Sequence, residues 1–131
     1  MTDKQKQEVL EILSKDCQHR FYYRALDNPN LTCAIGALAR AAGVSDDVLI
    51  AASVIDIMAS PYGKDEPRRA VVTMREAIQA KFGLTKGQLN HIQQLNDGIS
   101  EDWRRAIKVC DLVSTFLTEE GLERAMEDKQ P

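Results

Sequence analysis

One cysteine in this chain lies at the predicted start of a helix, a position that can make a thiol more reactive. Cys33 begins the apolar run at residues 33–59, whose pattern is typical of helices. A thiol at a helix N-terminus feels the positive end of the helix dipole, which lowers its pKa and favours the reactive thiolate. His91 and Asn96 supply the other residue types of a Cys-His-Asn site, with His19 as a second imidazole. This combination predicts a cysteine-dependent hydrolase or transferase.

The same residues also allow a structural interpretation. The run that begins at Cys33 is apolar, and an apolar setting raises the pKa of a thiol. On this interpretation Cys33 is a small buried hydrophobe, His91 lies on the surface of its helix and Asn96 ends that helix. No local signature of a known cysteine enzyme surrounds these residues. We therefore favour a non-enzymatic protein without catalytic residues, and we expect Cys33 to be buried and slow to react.

Neither a metal nor a cofactor is predicted. The two histidines are far apart in sequence, no pair of cysteines has ligand spacing, and the acidic residues at 97–102 lack the pattern of a calcium loop. The three cysteines are widely spaced, as in proteins of a reducing cytosol. The first residues, MTDKQKQEV, contain no apolar secretory core. The expected location is therefore cytoplasmic.

The apolar run at residues 33–59 predicts a buried helical hairpin. Gly43 can take the positive φ that ends the first helix, and Ser45 can cap the second helix, which should end before Pro61. A membrane hairpin is the alternative for so apolar a run. Each arm is shorter than the about 20 apolar residues that a membrane span needs, so we expect no membrane partner.

Helical periodicity also covers most of the remaining chain. Capping boxes are predicted at Thr2/Gln5 and at Thr85/Gln88. The helix after the second box should end at Leu95, and Gly98 is expected to take a positive φ in the joint that follows. A long final helix, capped by Ser100, should carry an apolar face. This face consists of Trp103, Ile107, Cys110 and Ser114, and it is widened by Ala106, Val109, Val113, Phe116 and Leu117.

These patterns predict an all-α, single-domain bundle of five or six helices around the buried hairpin. Residues 20–32 fit either a small β-hairpin or an irregular arm. The domain should span residues 1–118, and residues 119–131 should form an acidic C-terminal tail.

Charge gives little support to nucleic acid as a partner. Residues 1–118 hold as many acids as bases, and the net charge of −3 comes from the tail. Residues 39–49 do have the spacing of a DNA-binding helix-turn-helix, which makes a DNA-binding regulator a third hypothesis. However, the segment that would read DNA bases is DDVLIAAS, which presents two acids to the phosphates. Two basic pairs on predicted helices, at 68–69 and 104–105, are interpreted as solvated.

An aromatic segment is the predicted site for a protein partner. Aromatics and arginine are enriched at interaction hot spots, and here five such residues are consecutive: Arg20, Phe21, Tyr22, Tyr23 and Arg24. Core packing of one or two of the rings is equally compatible with the sequence.

This aromatic segment, the CAIGAL motif at 33–38 and the LND motif at 95–97 together resemble a family of short bacterial and phage-encoded proteins of unassigned function. The resemblance covers residues 20–113 and implies the helical order and a bacterial or phage origin. It draws attention to Cys33, Gly36, Asn96 and Asp97 without giving them roles. Our prediction is a small cytoplasmic protein that acts by binding another protein, as an accessory factor of a phage or mobile element would.

Overall fold

A computed structural model describes residues 1–17, 23, 32–53 and 65–128 of the chain. Within these ranges there are seven helices and no strand: α1 (Asp3–Asp16), α2 (Ala34–Ala41), α3 (Asp46–Ala52), α4 (Asp65–Phe82), α5 (Lys86–Gly98), α6 (Asp102–Ser114) and α7 (Glu119–Asp128). The prediction of an all-α bundle is confirmed, but seven helices replace the predicted five or six. The additional helix, α7, lies in the acidic tail. The hairpin predicted at 20–32 falls almost wholly outside the described residues.

Both predicted capping boxes are present, and each fixes the start of a helix. At α1 the Thr2 hydroxyl accepts a hydrogen bond from the backbone N–H of Gln5 at 3.1 Å, and the Gln5 side chain accepts one from the backbone N–H of Thr2 at 2.8 Å. At α5 the same reciprocal pair joins Thr85 and Gln88, at 3.1 and 2.9 Å. Each box satisfies two backbone donors that have no partner within the helix.

Residues close in sequence also determine where the first helix of the predicted hairpin ends and where the second begins. Gly43 has a φ of 90° after α2, and the Ser45 hydroxyl accepts a hydrogen bond from the Val48 N–H at 3.4 Å at the start of α3. Gly83, with a φ of 67°, separates α4 from α5 in the same manner. The helix α3 ends at Ala52, earlier than predicted, and residues 54–64 lie outside the described part of the chain.

The short helix α2 is the centre of the bundle. It packs against α1, α3, α4 and α5, and residues 34–39 are all buried. Around it, α3 packs on α4, and α1 packs antiparallel to α6. The direction is shown by Lys6 near the start of α1, whose ammonium donates to the carbonyl of Ser114, the last residue of α6, and to that of Phe116 just beyond it. Among the described residues, no helix is both long and apolar enough to span a bilayer.

The predicted apolar face of the last long helix is buried along only one of its edges. Val109, Val113 and Phe116 are buried as predicted, whereas Trp103 and Ile107 are 73% and 56% exposed. Arg105, which the prediction left out, completes the buried row. With 3.6 residues per turn, the Trp103 row and the Arg105 row lie about 130° apart, so the neighbouring helices cover one edge of the wide apolar face and not the other. The structure covers the second row with α1 and α5.

The joint between α5 and α6 also differs from the prediction. The helix α5 continues to Gly98, which does not have a positive φ, and α6 begins after Glu101 without a side-chain cap. The Ser100 hydroxyl instead contacts the Glu101 carboxylate at 3.4 Å. The capping role predicted for Ser100 is therefore wrong, and the carbonyls that end α5 are bound by Arg105.

Candidate functional site

The residues selected from the sequence meet at the N-terminus of α2. Cys33 is the N-cap residue of this helix, but its side chain makes no capping hydrogen bond. That role falls to Asn96 of α5, whose side-chain oxygen accepts a hydrogen bond from the Ala34 N–H at 3.1 Å. The same oxygen accepts a second hydrogen bond from the Cys17 thiol at 3.2 Å. The buried Asn96 thus caps a helix that lies 62 residues earlier in the chain.

Asn96 is itself held from both sides. Its amide nitrogen donates to the Asp97 carboxylate at 3.2 Å, and its backbone carbonyl accepts a hydrogen bond from the guanidinium of Arg105 at 3.1 Å. Arg105 has no exposed surface, and it also binds the Ile99 carbonyl at 2.5 Å and the Asp102 carboxylate at 2.6 Å. These carbonyls lie at the negative end of the α5 dipole, where a cation is favoured.

Tyr23, the one described residue of the proposed partner-binding segment, packs beside this cluster. Its hydroxyl accepts a hydrogen bond from the Gln93 side chain at 3.1 Å, and Gln93 in turn accepts one from the Arg75 guanidinium at 3.1 Å. Its backbone lies against Gly36, where a Cβ atom would come 2.2 Å from the Tyr23 carbonyl oxygen. Tyr23 is half buried and holds α5 to the start of α2. The other four residues of the segment lie outside the described part of the chain: Arg20, Phe21, Tyr22 and Arg24.

The two buried thiols are poor nucleophiles. Burial raises the pKa of Cys33 to about 11, although the backbone N–H groups of Gly36 and Ile35 at the start of α2 act in the opposite direction. Burial likewise raises the pKa of Cys17 to about 12, and the neighbouring Cys33 adds to the increase. With a pKa of about 11, roughly one thiol in ten thousand is ionised at neutral pH. Both sulfurs are therefore protonated and act as small buried groups.

The hypothesised Cys-His-Asn arrangement is only partly brought together. Cys33 and Asn96 meet at the start of α2, but His91 is exposed on α5. A separation of five residues places His91 and Asn96 about 140° apart around the helix axis, so their side chains leave on different sides. His19, the second imidazole considered, lies outside the described residues. In the described ranges, no group of three His, Cys, Asp or Glu residues could hold a metal ion.

Sequence reasoning missed the most buried member of the cluster. Arg105 was assigned to a solvated basic pair, yet it is wholly buried, while its neighbour Arg104 is exposed. A signal was available, because Arg105 continues the apolar row of Val109 and Val113 at four-residue spacing. A charged residue in such a row is almost never fully buried unless it is paired. That spacing points to a partner in the interior.

Thiol labelling should distinguish the three cysteines. Cys110 is half buried whereas Cys17 and Cys33 are buried, so Ellman's reagent should modify Cys110 first and the other two only as fast as the protein opens. A Cys110→Ser variant isolates the two slow thiols. If Cys33 then reacts faster than free cysteine at neutral pH, the assignment of a protonated, buried thiol is wrong.

The raised pKa values also predict a pH dependence of stability. A folded-state pKa above the ordinary 9.0 means that the folded protein holds these protons more tightly than the unfolded chain does. This stabilisation is fully present below pH 9.0 and decreases as the pH rises toward 11 and 12. Comparing urea unfolding of the protein and of a Cys17→Ala variant across this range isolates the contribution of one thiol.

Comparison of the chain with protein-family models, with curated proteins and with solved structures found no match. The resemblance to short bacterial and phage-encoded proteins therefore stays a prediction that rests on its motifs alone.

Proposed function

We propose that this protein acts by binding another protein through the outer face of the first turns of α6. The single observation that carries the proposal is the exposure of Trp103, the only tryptophan in the chain. Ile107 lies one turn later on the same side and is also exposed. We call Trp103, Arg104 and Ile107 the Trp103 surface.

The chemistry of the Trp103 surface is that of an interaction hot spot. Tryptophan and arginine are the residues most enriched among those whose removal weakens protein interfaces. The Arg104 guanidinium lies 6.0 Å from the centre of the Trp103 ring, which is the outer limit of a cation–π contact. A contact that holds side chains together before a partner arrives reduces the entropy lost on binding.

A cleft beside Trp103 could receive an anchoring side chain of the partner. It lies between the end of α1 and the start of α6 and has a volume of about 370 Å³. Lys15 and Asp102 give it one charge of each sign, and the remaining lining residues are Ser14, Cys17, Trp103 and Ala106. An apolar group flanked by polar partners fits such a cleft.

The state of the cysteines supports binding rather than catalysis. Cys17 and Cys33 are protonated at neutral pH. The Asn96 side-chain oxygen accepts hydrogen bonds from the Ala34 N–H and the Cys17 thiol, so its role is to cap α2. All three cysteines are unpaired, which is usual for proteins of the reducing cytoplasm. We therefore extend the proposal to a cytoplasmic, non-enzymatic role.

The DNA-binding hypothesis receives less support. Its base-reading segment corresponds to α3, and Asp46 and Asp47 are exposed in the first turn of this helix. Two exposed carboxylates at the contact point repel the phosphate backbone that supplies most of the affinity for DNA.

The test is affinity capture from cells that express the tagged protein, followed by mass spectrometry. We expect a partner that is retained by the wild-type chain and lost from a Trp103→Ala, Ile107→Ala variant. Both positions are exposed, so this variant should differ from the wild type in unfolding free energy by less than about 1 kcal/mol.

Val72→Ala is the matched control, because Val72 is an exposed apolar residue of α4 that lies outside the Trp103 surface. This variant should retain the partner. With the purified partner, Trp103 fluorescence should shift to shorter wavelength as the indole leaves water. An unchanged spectrum, or equal capture by the double variant, would contradict the proposal.

A further inference from the structure

The last helix, α7, is attached to the bundle by its polar side. Near its start the Glu120 carboxylate accepts a hydrogen bond from the Asp3 N–H at 2.9 Å, and the Arg124 guanidinium lies 3.7 Å from the Asp3 carboxylate. The Thr118 hydroxyl caps the helix by accepting from the Gly121 N–H at 3.0 Å. A surface helix normally turns its apolar side to the core. In α7 the contacts with the start of α1 are polar instead, and residues 122–127 are all exposed.

The apolar side of α7 consequently faces solvent. Leu122 and Met126, one turn apart, are 49% and 60% exposed, and Leu117, just before the helix, is 59% exposed. A Cβ atom on Gly121 would lie 3.5 Å from the Leu117 side chain, so Leu117 lies over the first turn of α7. Neighbouring large apolar side chains that remain exposed together are typical of interaction sites.

A row of carboxylates runs beside this apolar row. Glu119, Glu123 and Glu127 recur at four-residue spacing and therefore lie one above another on the helix. All three are exposed, and Glu123 and Glu127 directly follow Leu122 and Met126 in the sequence, so the acidic row lies next to the apolar row. The Met1 ammonium lies 4.0 Å from the Glu119 carboxylate, whereas Glu123 and Glu127 repel each other, and a cationic partner would relieve that repulsion. We call Leu117, Leu122 and Met126 with these three glutamates the α7 surface.

We infer that the α7 surface is the docking site for a basic amphipathic helix of another protein. Such a helix supplies apolar side chains for Leu117, Leu122 and Met126, and it places lysine or arginine opposite the glutamate row. A second copy of this chain would bring two acidic rows together, and a membrane of anionic lipids would meet the same repulsion. Charge complementarity thus selects the basic helix.

This inference extends the proposed function to a second surface and does not depend on the first. The α7 surface adjoins the start of α1, whereas the cleft beside Trp103 adjoins its end. A helix of 14 residues is about 21 Å long, so the two surfaces lie at opposite ends of the bundle.

The experiment titrates the full chain into a fluorescently labelled synthetic peptide and follows its anisotropy. The peptide is a helix of about 18 residues, with leucine at i, i+3, i+4 and i+7 and lysine elsewhere. We expect saturable binding that weakens as salt is added. A peptide with glutamate in place of lysine should not bind, and a peptide of the same composition with scattered leucines should bind at least about tenfold more weakly.

Two variants of the protein test the two rows separately. Leu122→Ala, Met126→Ala should weaken binding at least about tenfold, and Glu123→Gln, Glu127→Gln should weaken it about fivefold and reduce the salt dependence. The matched charge control is Asp46→Asn, Asp47→Asn, which removes two exposed acids from α3 and should leave binding within about twofold of the wild type. The Trp103→Ala variant should also bind the peptide normally, so the two proposals can fail independently.

Several outcomes would overturn the inference. If the Asp46→Asn, Asp47→Asn variant weakened peptide binding as much as the α7 variants do, the attraction would be general to an acidic protein. Equal binding of the peptide with scattered leucines would show the same. Self-association in sedimentation that the Leu122 and Met126 substitutions abolish would identify a second copy as the occupant. Co-sedimentation with phosphatidylserine vesicles that requires the same two residues would identify a membrane. Circular dichroism of each variant checks that α7 remains helical.

Discussion

Replacing Arg105 with methionine should lower the free energy of unfolding by about 2 to 4 kcal/mol. Methionine keeps much of the side-chain volume but has no donor, so the Asn96 and Ile99 carbonyls lose the guanidinium that binds them. A polar group left unpaired in the interior costs about 1 to 3 kcal/mol. The Asp102 carboxylate is largely exposed and can return to water, so its contribution to the loss is small.

The neighbouring arginine provides the control for this substitution. Arg104 is exposed and lies 3.7 Å from the Glu101 carboxylate, so Arg104→Met should cost less than about 0.5 kcal/mol. Urea unfolding followed by circular dichroism measures both variants. The Arg105→Lys variant should have a free energy of unfolding between those of the two methionine variants. An ammonium keeps the charge but cannot reproduce the planar guanidinium that reaches three oxygens. Equal midpoints for the Arg104 and Arg105 variants would mean that water replaces the guanidinium.

Replacing Gly36 with alanine should destabilise the protein by about 3 kcal/mol, the upper end of the usual cost of overpacking. The new Cβ atom would lie 2.2 Å from the carbonyl oxygen and 2.7 Å from the Cα of Tyr23. These are backbone atoms, so a change of side-chain rotamer cannot remove the clash. Either α2 shifts within the core or the segment at Tyr23 detaches, with loss of the hydrogen bond to Gln93.

Gly98→Ala is the matched control for Gly36→Ala. A Cβ atom at Gly98, the last residue of α5, meets nothing within 4 Å, and its φ is not positive. Alanine there should leave stability unchanged or raise it by up to about 1 kcal/mol, because glycine is the poorer helix former. Urea unfolding gives both values, and hydrogen exchange at Gln93 reports detachment of the Tyr23 segment. A Gly36→Ala protein as stable as the wild type would show that this close approach is not a constraint.

Features decided within a few residues could be predicted from the sequence. The capping boxes of Thr2 and Thr85 depend only on the residue three positions later, and the positive φ of Gly43 depends on the lack of a Cβ atom. The burial of α2 follows from a segment that is apolar nearly all round, because such a helix has no side that prefers water. For the same reason the burial of Cys33 could be predicted, and with it the raised pKa of its thiol.

The candidate site depended on partners that are distant in sequence. Cys33 and Asn96 could be named from their residue types, but the capping of α2 by Asn96 joins residues 62 positions apart. No local pattern specifies such a pair, because it exists only once α5 packs against α2. The partners of Tyr23 and Gly36 are likewise set by that packing.

The chain by itself therefore determined where most helices begin and that α2 is buried, since these follow from hydrogen bonds within one turn and from apolar composition. Only the tertiary structure decided which side of an amphipathic helix is covered. In α6 the neighbouring helices cover the row that contains Arg105, and Trp103 is left in solvent. In α7 the contacts of Asp3 hold Glu120 and Arg124 next to α1, and Leu122 and Met126 face water. The apolar residues of α6 are spread over more than half of the helix circumference, and in both helices the contacts with neighbouring elements decide which side is covered.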